Sequence, residues 1–499
     1  NIPAFDTFGK YPSFELAFAL DFFLVSCTLL LLLWVLILQN RKDLGFLSLS
    51  TNSRSTVFLI ILLFLFISYF SNLVSFTLIP ANGSLTLDGF GYNANVITTF
   101  VCFLYFCLSW SSLKNRGSAN ELCCLILISL ISLLVLTRIN DFLSLFMCLE
   151  LQALAFYVLA CFRKNSDFSV EASVKYFITG AVSTSFMLFG VSLLYGITGT
   201  LNFVEIKHIL FCLSSFSSSL DSSIVYLTLN LGFLFLLISF FFKLGISPLH
   251  FWLPDVYEGS PTNVTAFFAL VPKTALLVIT ARLLFDVFEP LSWLWQPILF
   301  QVALLSIIIG TVGAMHQRRI KRLLAYSTIS HNGFLALALA SGNQEGLNSL
   351  IIYLFVYLLT SSSIFLFLLS INERGFFTEN PTFYESCGII KTHKFLGVCL
   401  ALPLFSLAGI PPLFGFIAKY QIFFSTLQAG YLLISLVLVL VSVISCYYYI
   451  RIVKVYFFEN TVISWNSNLS RDVSLCFSLF CGLMVLFSIF PRFSFTLIF

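Results

Sequence analysis

Five ionisable side chains sit in or beside apolar runs long enough to cross a bilayer: Glu150, Lys175, Lys243, Lys273 and Lys419. An ionised group at the bilayer centre costs at least about 2.5–3.5 kcal/mol, so each needs a physical reason to be there. One carboxylate among several lysines has a particular chemistry open to it. Removal from water favours a neutral amine and a nearby carboxylate favours the ammonium, so a lysine held between the two influences takes up and releases a proton when its partner moves. This is the chemistry of a proton relay, and it needs no cofactor. His250 and His331 can extend such a relay, because a neutral imidazole both accepts and donates. Plainer readings stand beside these. Lys175, close to the start of its run, can reach the headgroups by snorkelling. Glu150, Lys243 and Lys273 can form purely structural ion pairs, and either histidine can be a satisfied buried side chain.

Positioning these groups takes spanning helices. Fourteen apolar runs fall near residues 15–38, 57–79, 93–112, 121–138, 141–162, 171–196, 226–250, 262–286, 293–313, 322–341, 347–371, 394–413, 430–457 and 473–490. The chain of 499 residues is 59% hydrophobic and 10% charged, against roughly 25% charged in a soluble domain, and no stretch is left for one. The expected fold class is therefore an all-α polytopic membrane protein. Basic residues test the count, because Lys and Arg gather in alternate loops on one side. The odd-numbered loops carry Arg41, Lys42 and Arg54, then Lys114 and Arg116, then Arg163 and Lys164. They continue with Arg318, Arg319, Lys321 and Arg322, then Arg374, Lys391 and Lys394, and last Arg451, Lys454 and Arg471. The even-numbered loops carry little beyond Arg138 and Lys207, so both termini are expected on the charge-poor side.

Two of the spans carry breaks. Gly245-Ile246-Ser247-Pro248-Leu249 follows Lys243 in the seventh, and Gly409-Ile410-Pro411-Pro412-Leu413 ends the twelfth, with 409–428 reading as a half-helix that continues it. The recurrence predicts interrupted helices 7 and 12. It also predicts two five-helix repeats, inverted because five is odd. The expected division is 1–120 for helices 1–3, 121–286 for the first repeat, 287–458 for the second and 459–499 for helix 14. Backbone groups freed at such breaks must be met by protein or water, so the breaks are expected to line a hydrated cavity.

Other chemistries find little support. Thirteen cysteines lie mostly inside apolar runs without a C-x-x-C spacing, which reads as buried free thiols. His208, His250, His316, His331 and His393 form no metal-spaced cluster, and neither a Walker A loop nor a G-x-G-x-x-G turn occurs. No cofactor or metal is expected in this chain, and a net charge of +4 is too balanced to suggest nucleic acid. The first apolar run is too long for a cleavable signal. The absence of an initial Met reads as processing or an incomplete start. Sixty phenylalanines fit an AT-rich, organelle-encoded gene.

The run WLPDVYEGSPTNVTAFFALVPK, Trp252 to Lys273, resembles the hallmark segment of the antiporter-like subunits of proton-pumping NADH:quinone oxidoreductase, respiratory complex I. CLELQALAFYVLA (Cys148 to Ala160), EASVKYFITGA (Glu171 to Ala181), IKRLLAYSTISHNGF (Ile320 to Phe334) and LAGIPPLFGFIAKYQIF (Leu407 to Phe423) are similar to further family segments. The Tyr-Glu-Gly-Ser-Pro-Thr form resembles the subunit 2 branch, called subunit N in bacteria. The resemblance covers about residues 90–458. Departures are Asn263, where the family usually has proline, the Ser-rich segment Ser214–Ser223, and the N-terminal region.

The resemblance implies that Glu150 pairs with Lys243, that Lys273 is the central relay lysine, that Lys419 leads to the exit, and that Lys175 is the sixth-helix lysine of that branch. Lysine at the helix-twelve position argues against the subunit 4 type, and the short stretch after the fourteenth span argues against the subunit 5 type. It further implies a proton-translocating subunit driven by redox chemistry in other subunits, which hold the NADH, flavin, iron–sulfur and quinone sites. Implied partners are other membrane-arm subunits, among them the neighbouring antiporter-like subunit 4 and the small subunit 4L, together with lipid. The implied location is the mitochondrial inner membrane, with both termini on the intermembrane-space side. Two competing readings are a subunit of a multisubunit cation/proton antiporter and a scaffold whose buried charges only hold helices together.

Overall fold

A computed structural model describes residues 24–30, 85–86, 88–114, 119–215, 220–372, 394–459 and 471–489. The first two expected spans lie outside these residues, apart from helical residues 24–30. Helices α1 (Gly89–Lys114), α2 (Ala119–Leu136), α3 (Phe142–Ala160) and α4 (Asp167–Thr198) answer to the third to sixth spans. A short helix α5 (Phe203–Ser215) precedes α6 (Leu220–Leu244) and α7 (Trp252–Gly259), the two halves of the seventh. Then come α8 (Thr262–Arg282), α9 (Ser292–Met315), α10 (Ile320–Ala340) and α11 (Gln344–Asn372). The twelfth span divides into α12 (Lys394–Ala408) and α13 (Phe414–Gln428), followed by α14 (Leu432–Phe458) and α15 (Arg471–Ile489). Strand pairing among the described residues is limited to two isolated bridges, Leu85 with Ile139 and Asp141 with Asn202.

The environment of each helix follows from which faces are apolar. On α3, Leu143, Met147, Leu151, Leu154 and Val158 form an exposed stripe at helical spacing, while Leu145, Leu149, Phe156 and Leu159 of the opposite face are buried. A helix apolar all round, with one face in the protein and the other outside it, is built for lipid. The chain is a multi-pass membrane protein. Burial ranks the spans: 94% of the apolar window is buried in α8 and in α10 and 89% in α11, against 28% in α4. The central three are therefore the helices able to keep charged side chains out of lipid. Lys273 lies on one of them, and Lys419 packs against them.

Loops expected to share a side do meet. On the charge-poor side, Phe142 N–H donates to Leu201 O at 3.1 Å, Phe203 N–H to Asn140 O at 2.8 Å, and Lys207 pairs with Glu289 at 3.1 Å. On the basic side, Arg451 donates to Met315 O at 3.2 Å. One loop charge is placed differently from the sequence reading. Arg138 is 1% exposed and lies with Arg282 against Gly91, where Arg282 pairs with Asp88 at 2.9 Å. The sequence reading also has no counterpart for α5, which at 13 residues is about 20 Å long, too short to span.

The two breaks share one geometry. Gly245 (φ 67°) and Gly409 (φ 86°) end α6 and α12 in the left-handed region, which glycine enters without a Cβ penalty. Ile246 N–H then reaches back to Phe241 O at 3.0 Å, and Ile410 N–H to Phe405 O at 3.2 Å, the six-to-one bond of a Schellman cap. A further turn closes each unit, with Leu249 N–H on Ile246 O at 2.9 Å and Leu413 N–H on Ile410 O at 3.1 Å, before α7 and α13 resume. Gly409 also has a side-chain neighbour of consequence. A Cβ placed there would stand 3.0 Å from Lys419 Cδ and 3.2 Å from its Nζ. Gly409→Ala is therefore expected to cost about 1–2 kcal/mol of backbone strain and to displace the Lys419 amine. In vesicles containing the assembled protein, the proton flux expected of a lysine relay is predicted to fall although no titratable group has been changed; unaltered flux refutes the expectation.

Candidate functional site

Six charges of alternating sign run along the basic rim. Lys175 on α4 pairs with Glu171 and with Asp255 of α7, each at 2.7 Å; Asp255 also faces Arg322 at 3.8 Å; and Glu258 takes both Arg322, at 3.2 Å, and Arg319. Glu258 itself is 5% exposed, whereas its arginines are open to water. Lys321 adds a bond to Ser260 O at 3.0 Å. These contacts tie α7 to α4 on one side and to the start of α10 on the other. A cavity of about 150 Å³ opens among Lys175, Asp255, Glu258, Arg319 and Arg322. Lys175 is thus not at membrane depth. Its side chain is 43% exposed and its partners are charges of the basic rim, although α4 begins at Asp167, four residues before the expected span.

Deeper in, Lys243 lies on the last turn of α6, immediately before the first break. Glu150 on α3 is close enough for its charge to act on Lys243 without closing to an ion pair, and its Oε2 is buried with no hydrogen-bond partner. A cavity lined by Lys243, Tyr176, Trp252, Tyr257, Pro272 and Lys273 connects this point with α8. Its water-accessible volume is about 50 Å³, several times the roughly 10–15 Å³ one water requires.

Lys273 itself is 5% exposed and fully inside the central helices. Its Nζ donates to the Tyr357 hydroxyl on α11 at 2.8 Å and lies 4.2 Å from the centre of that ring. Beyond it, His331 on α10 is held by two phenols, Nδ1 at 2.7 Å from Tyr353 Oη and Nε2 at 2.9 Å from Tyr449 Oη. The charges of both Lys273 and Lys419 act on this ring. Lys419 on α13, also 5% exposed, donates to Ala408 O at 2.9 Å, the carbonyl freed just before the second break. A small cavity of about 10 Å³ joins His331, Tyr353, Tyr357 and Lys419.

Glu150, Lys243, Lys273, His331 and Lys419 are thus brought onto one polar line that crosses the molecule, and Lys175 stands at its basic rim. His250 is not on it. The His250 ring stacks on the exposed Phe251 at 4.9 Å, and it lines neither the cavity at Lys243 nor the one at Lys419. The sequence reading does not single out the phenols Tyr353, Tyr357 and Tyr449, the carboxylates Asp255 and Glu258, or Asn332, which donates to Leu244 O at the first break. One signal points to the phenols. Tyr353 and Tyr357 are four apart on α11 and lead into Thr360-Ser361-Ser362-Ser363, a polar run inside a span.

The geometry agrees with what the chain is similar to. The family NADH:quinone oxidoreductase/Mrp antiporter, transmembrane region, matches residues 139–445, more than half the chain and every group on the polar line. The chain belongs to this family. It is 35% identical over 485 residues to NADH-ubiquinone oxidoreductase chain 2 of Marchantia polymorpha, covering 94% of each chain. Among solved structures it is similar to a chain of respiratory complex I from Thermus thermophilus, with TM-score 0.76, 25% identity, and 95% and 97% of the two chains covered. The Mrp complex from Dietzia sp. shares the fold, with TM-score 0.78 at 19% identity over 96% and 95% of the chains. For charges placed at different depths in one chain, access from water is the first property to measure. In a background freed of native cysteines, Lys175→Cys is expected to react with a membrane-impermeant thiol reagent added on the basic-loop side. Lys273→Cys stays unreactive under the same conditions. Equal labelling of the two would contradict the arrangement.

Proposed function

We propose that this chain is a proton-translocating membrane-arm subunit of NADH:ubiquinone oxidoreductase, complex I, corresponding to subunit 2 or bacterial subunit N. The observation that carries the reading is the line from Glu150 and Lys243 to the buried Lys273 and Lys419, in a chain 35% identical to an NADH-ubiquinone oxidoreductase chain 2 over 94% of its length.

The residues along the line act in complementary ways. Glu150 lies apart from Lys243, so a small displacement of α3 against α6 changes how strongly the carboxylate holds a proton on that amine. A proton leaving Lys243 finds Lys273 across a cavity with room for several waters. Lys273 and Lys419 each keep a neutral hydrogen-bond acceptor, which can partner the amine as well as the ammonium. Redox chemistry is assigned to other subunits, because the proton-carrying groups here are lysines, a glutamate, a histidine and phenols and need no cofactor.

Its partners in this reading are other membrane-arm subunits, with the antiporter-like subunit 4 and the small subunit 4L as neighbours, and lipid around the exposed apolar faces. The location is the mitochondrial inner membrane, with an organelle-encoded gene and both termini on the intermembrane-space side. The matched Schellman units at Gly245 and Gly409 support two inverted repeats, 121–286 and 287–458. A reporter fused after Phe499 is expected on the side opposite the Arg318–Arg322 loop; finding both on one side overturns the topology.

The function is tested in the assembled complex. Lys243→Ala and Glu150→Gln are each expected to slow proton translocation by about tenfold or more, the scale of losing one positioned acid or base. Translocation per electron that stays normal in either variant, with only assembly weakened, would establish the scaffold reading instead. Failure to co-purify with an NADH-oxidising arm would point to a cation/proton antiporter.

A further inference from the structure

We propose that Tyr357, and not His331, passes the proton between Lys273 and Lys419. The inference rests on the relay reading above and names a carrier within it. The Tyr357 hydroxyl accepts from Lys273 Nζ at 2.8 Å, so the phenol touches the proton-bearing atom. His331 is committed elsewhere. A neutral imidazole has one donor and one acceptor, and both ring nitrogens are occupied by Tyr353 and Tyr449 at 2.7 and 2.9 Å. The centroids of the Tyr357 and His331 rings stand 5.5 Å apart, and the described contacts of the Tyr357 hydroxyl lead to Lys273.

The way onward is the cavity between Tyr357 and Lys419. Its volume of about 10 Å³ is near the roughly 10–15 Å³ needed for a single water, and Tyr357, Lys419 and Ser406 are among the residues that line it. A phenol both donates and accepts, so transfer is concerted. The N–H bond of the Lys273 ammonium breaks and a new Oη–H bond forms. The original Oη–H proton leaves for a water in the cavity, and that water gives one of its own protons to the neutral amine of Lys419. Tyr357 and the water are neutral before and after, and one positive charge has moved from Lys273 to Lys419. No phenolate is formed. His331 is then a positioning residue, whose bonds to Tyr353 on α11 and Tyr449 on α14 tie α10 to both helices beside the cavity.

The experiment uses the complete complex in sealed vesicles, with NADH oxidation and proton uptake or release followed together. Tyr357→Phe keeps the ring and removes only the hydroxyl, and proton translocation is expected to fall about tenfold or more. Tyr357→His restores a group that accepts and donates, and is expected to recover at least about a third of the flux lost in Tyr357→Phe. A packing role predicts the reverse order, with Phe well tolerated and His poorly. His331→Gln, which keeps one donor and one acceptor for the two phenols but does not titrate, is expected to retain more flux than Tyr357→Phe. Lys273→Ala distinguishes failure of the relay from failure of its carrier. Normal pumping in Lys273→Ala overturns the relay reading itself. Lost pumping there, with normal pumping in Tyr357→Phe or with His331→Gln more damaging than Tyr357→Phe, overturns the assignment of Tyr357 alone. Should Tyr357→Phe not assemble, an assembled Tyr357→His that oxidises NADH without pumping overturns it as well.

Discussion

A helix interrupted within a membrane gives up backbone hydrogen bonds that hydrocarbon cannot replace, and each lost bond must be remade inside the protein. The arrangement of this protein depends on how that requirement is met at its two breaks. At the first, Leu244 O accepts from Asn332 on the central helix α10, and Phe242 O accepts from the Trp252 indole at 2.7 Å. At the second, Ala408 O accepts from Lys419 and from the Cys446 thiol at 3.1 Å. The freed carbonyl is thus what makes the buried position of Lys419 tenable. An acceptor in apolar surroundings needs a donor, an amine there needs an acceptor, and neither partner has to be charged. Gly409 allows this meeting because it has no Cβ to stand in the path of the lysine side chain.

The same distinction separates the rim from the interior. Charges at the basic rim have opposite charges as partners: Lys175 has Glu171 and Asp255, and Glu258 has Arg319 and Arg322. Such partners hold a proton count fixed, because changing one charge strands the other. Lys273 and Lys419 instead face a phenol and a carbonyl. A neutral partner tolerates either protonation state, which is what a group that must load and unload requires. Glu150 and Lys243 lie between these regimes, within electrostatic reach but not in contact, and so are the natural place for a small movement to change an affinity.

What the sequence discloses follows from contrast. A lysine or glutamate in an apolar run stands out against its neighbours, and so does Gly-Ile-x-Pro-Leu, so Lys243, Lys273, Lys419, Glu150 and both breaks are legible. Tyrosine does not stand out in a chain with 60 phenylalanines and 19 tyrosines, where a buried phenol and a lipid-facing ring read alike. Tyr357 and Tyr449 gain meaning only from contacts 84 and 118 residues away in the chain. Depth along a helix is equally hidden. Hydropathy puts Lys175 inside the sixth span although its side chain pairs with charges of the basic rim, and Arg138 reads as a loop charge although the fold buries it beside Arg282. His250 follows a break and so looks like Lys243's continuation, but the turn after Pro248 aims its ring at Phe251.

The seam between the part of the chain ending at α8 and the part beginning at α9 is crossed in two chemically different ways. At the rim it is crossed by Glu258, nearly fully buried, bound to Arg319 just before α10 and to Arg322 in its first turn. Removing one partner from a pair of this kind leaves a buried charge uncompensated, so the rim resists separation. At depth it is crossed by the Asn332 bond to Leu244 O and, between α8 and α11, by the hydrogen bond from Lys273 to Tyr357, and a single such bond contributes about 1.5–3 kcal/mol when one partner is charged and less when both are neutral. Movement of α11 against α8 is therefore opposed least when Lys273 has given up its proton. Loss of the charge weakens the bond that holds the carrier in place, and its return strengthens it. A contact with that property couples the occupancy of Lys273 to the geometry of the path beyond it, with no requirement for a larger rearrangement of the helices.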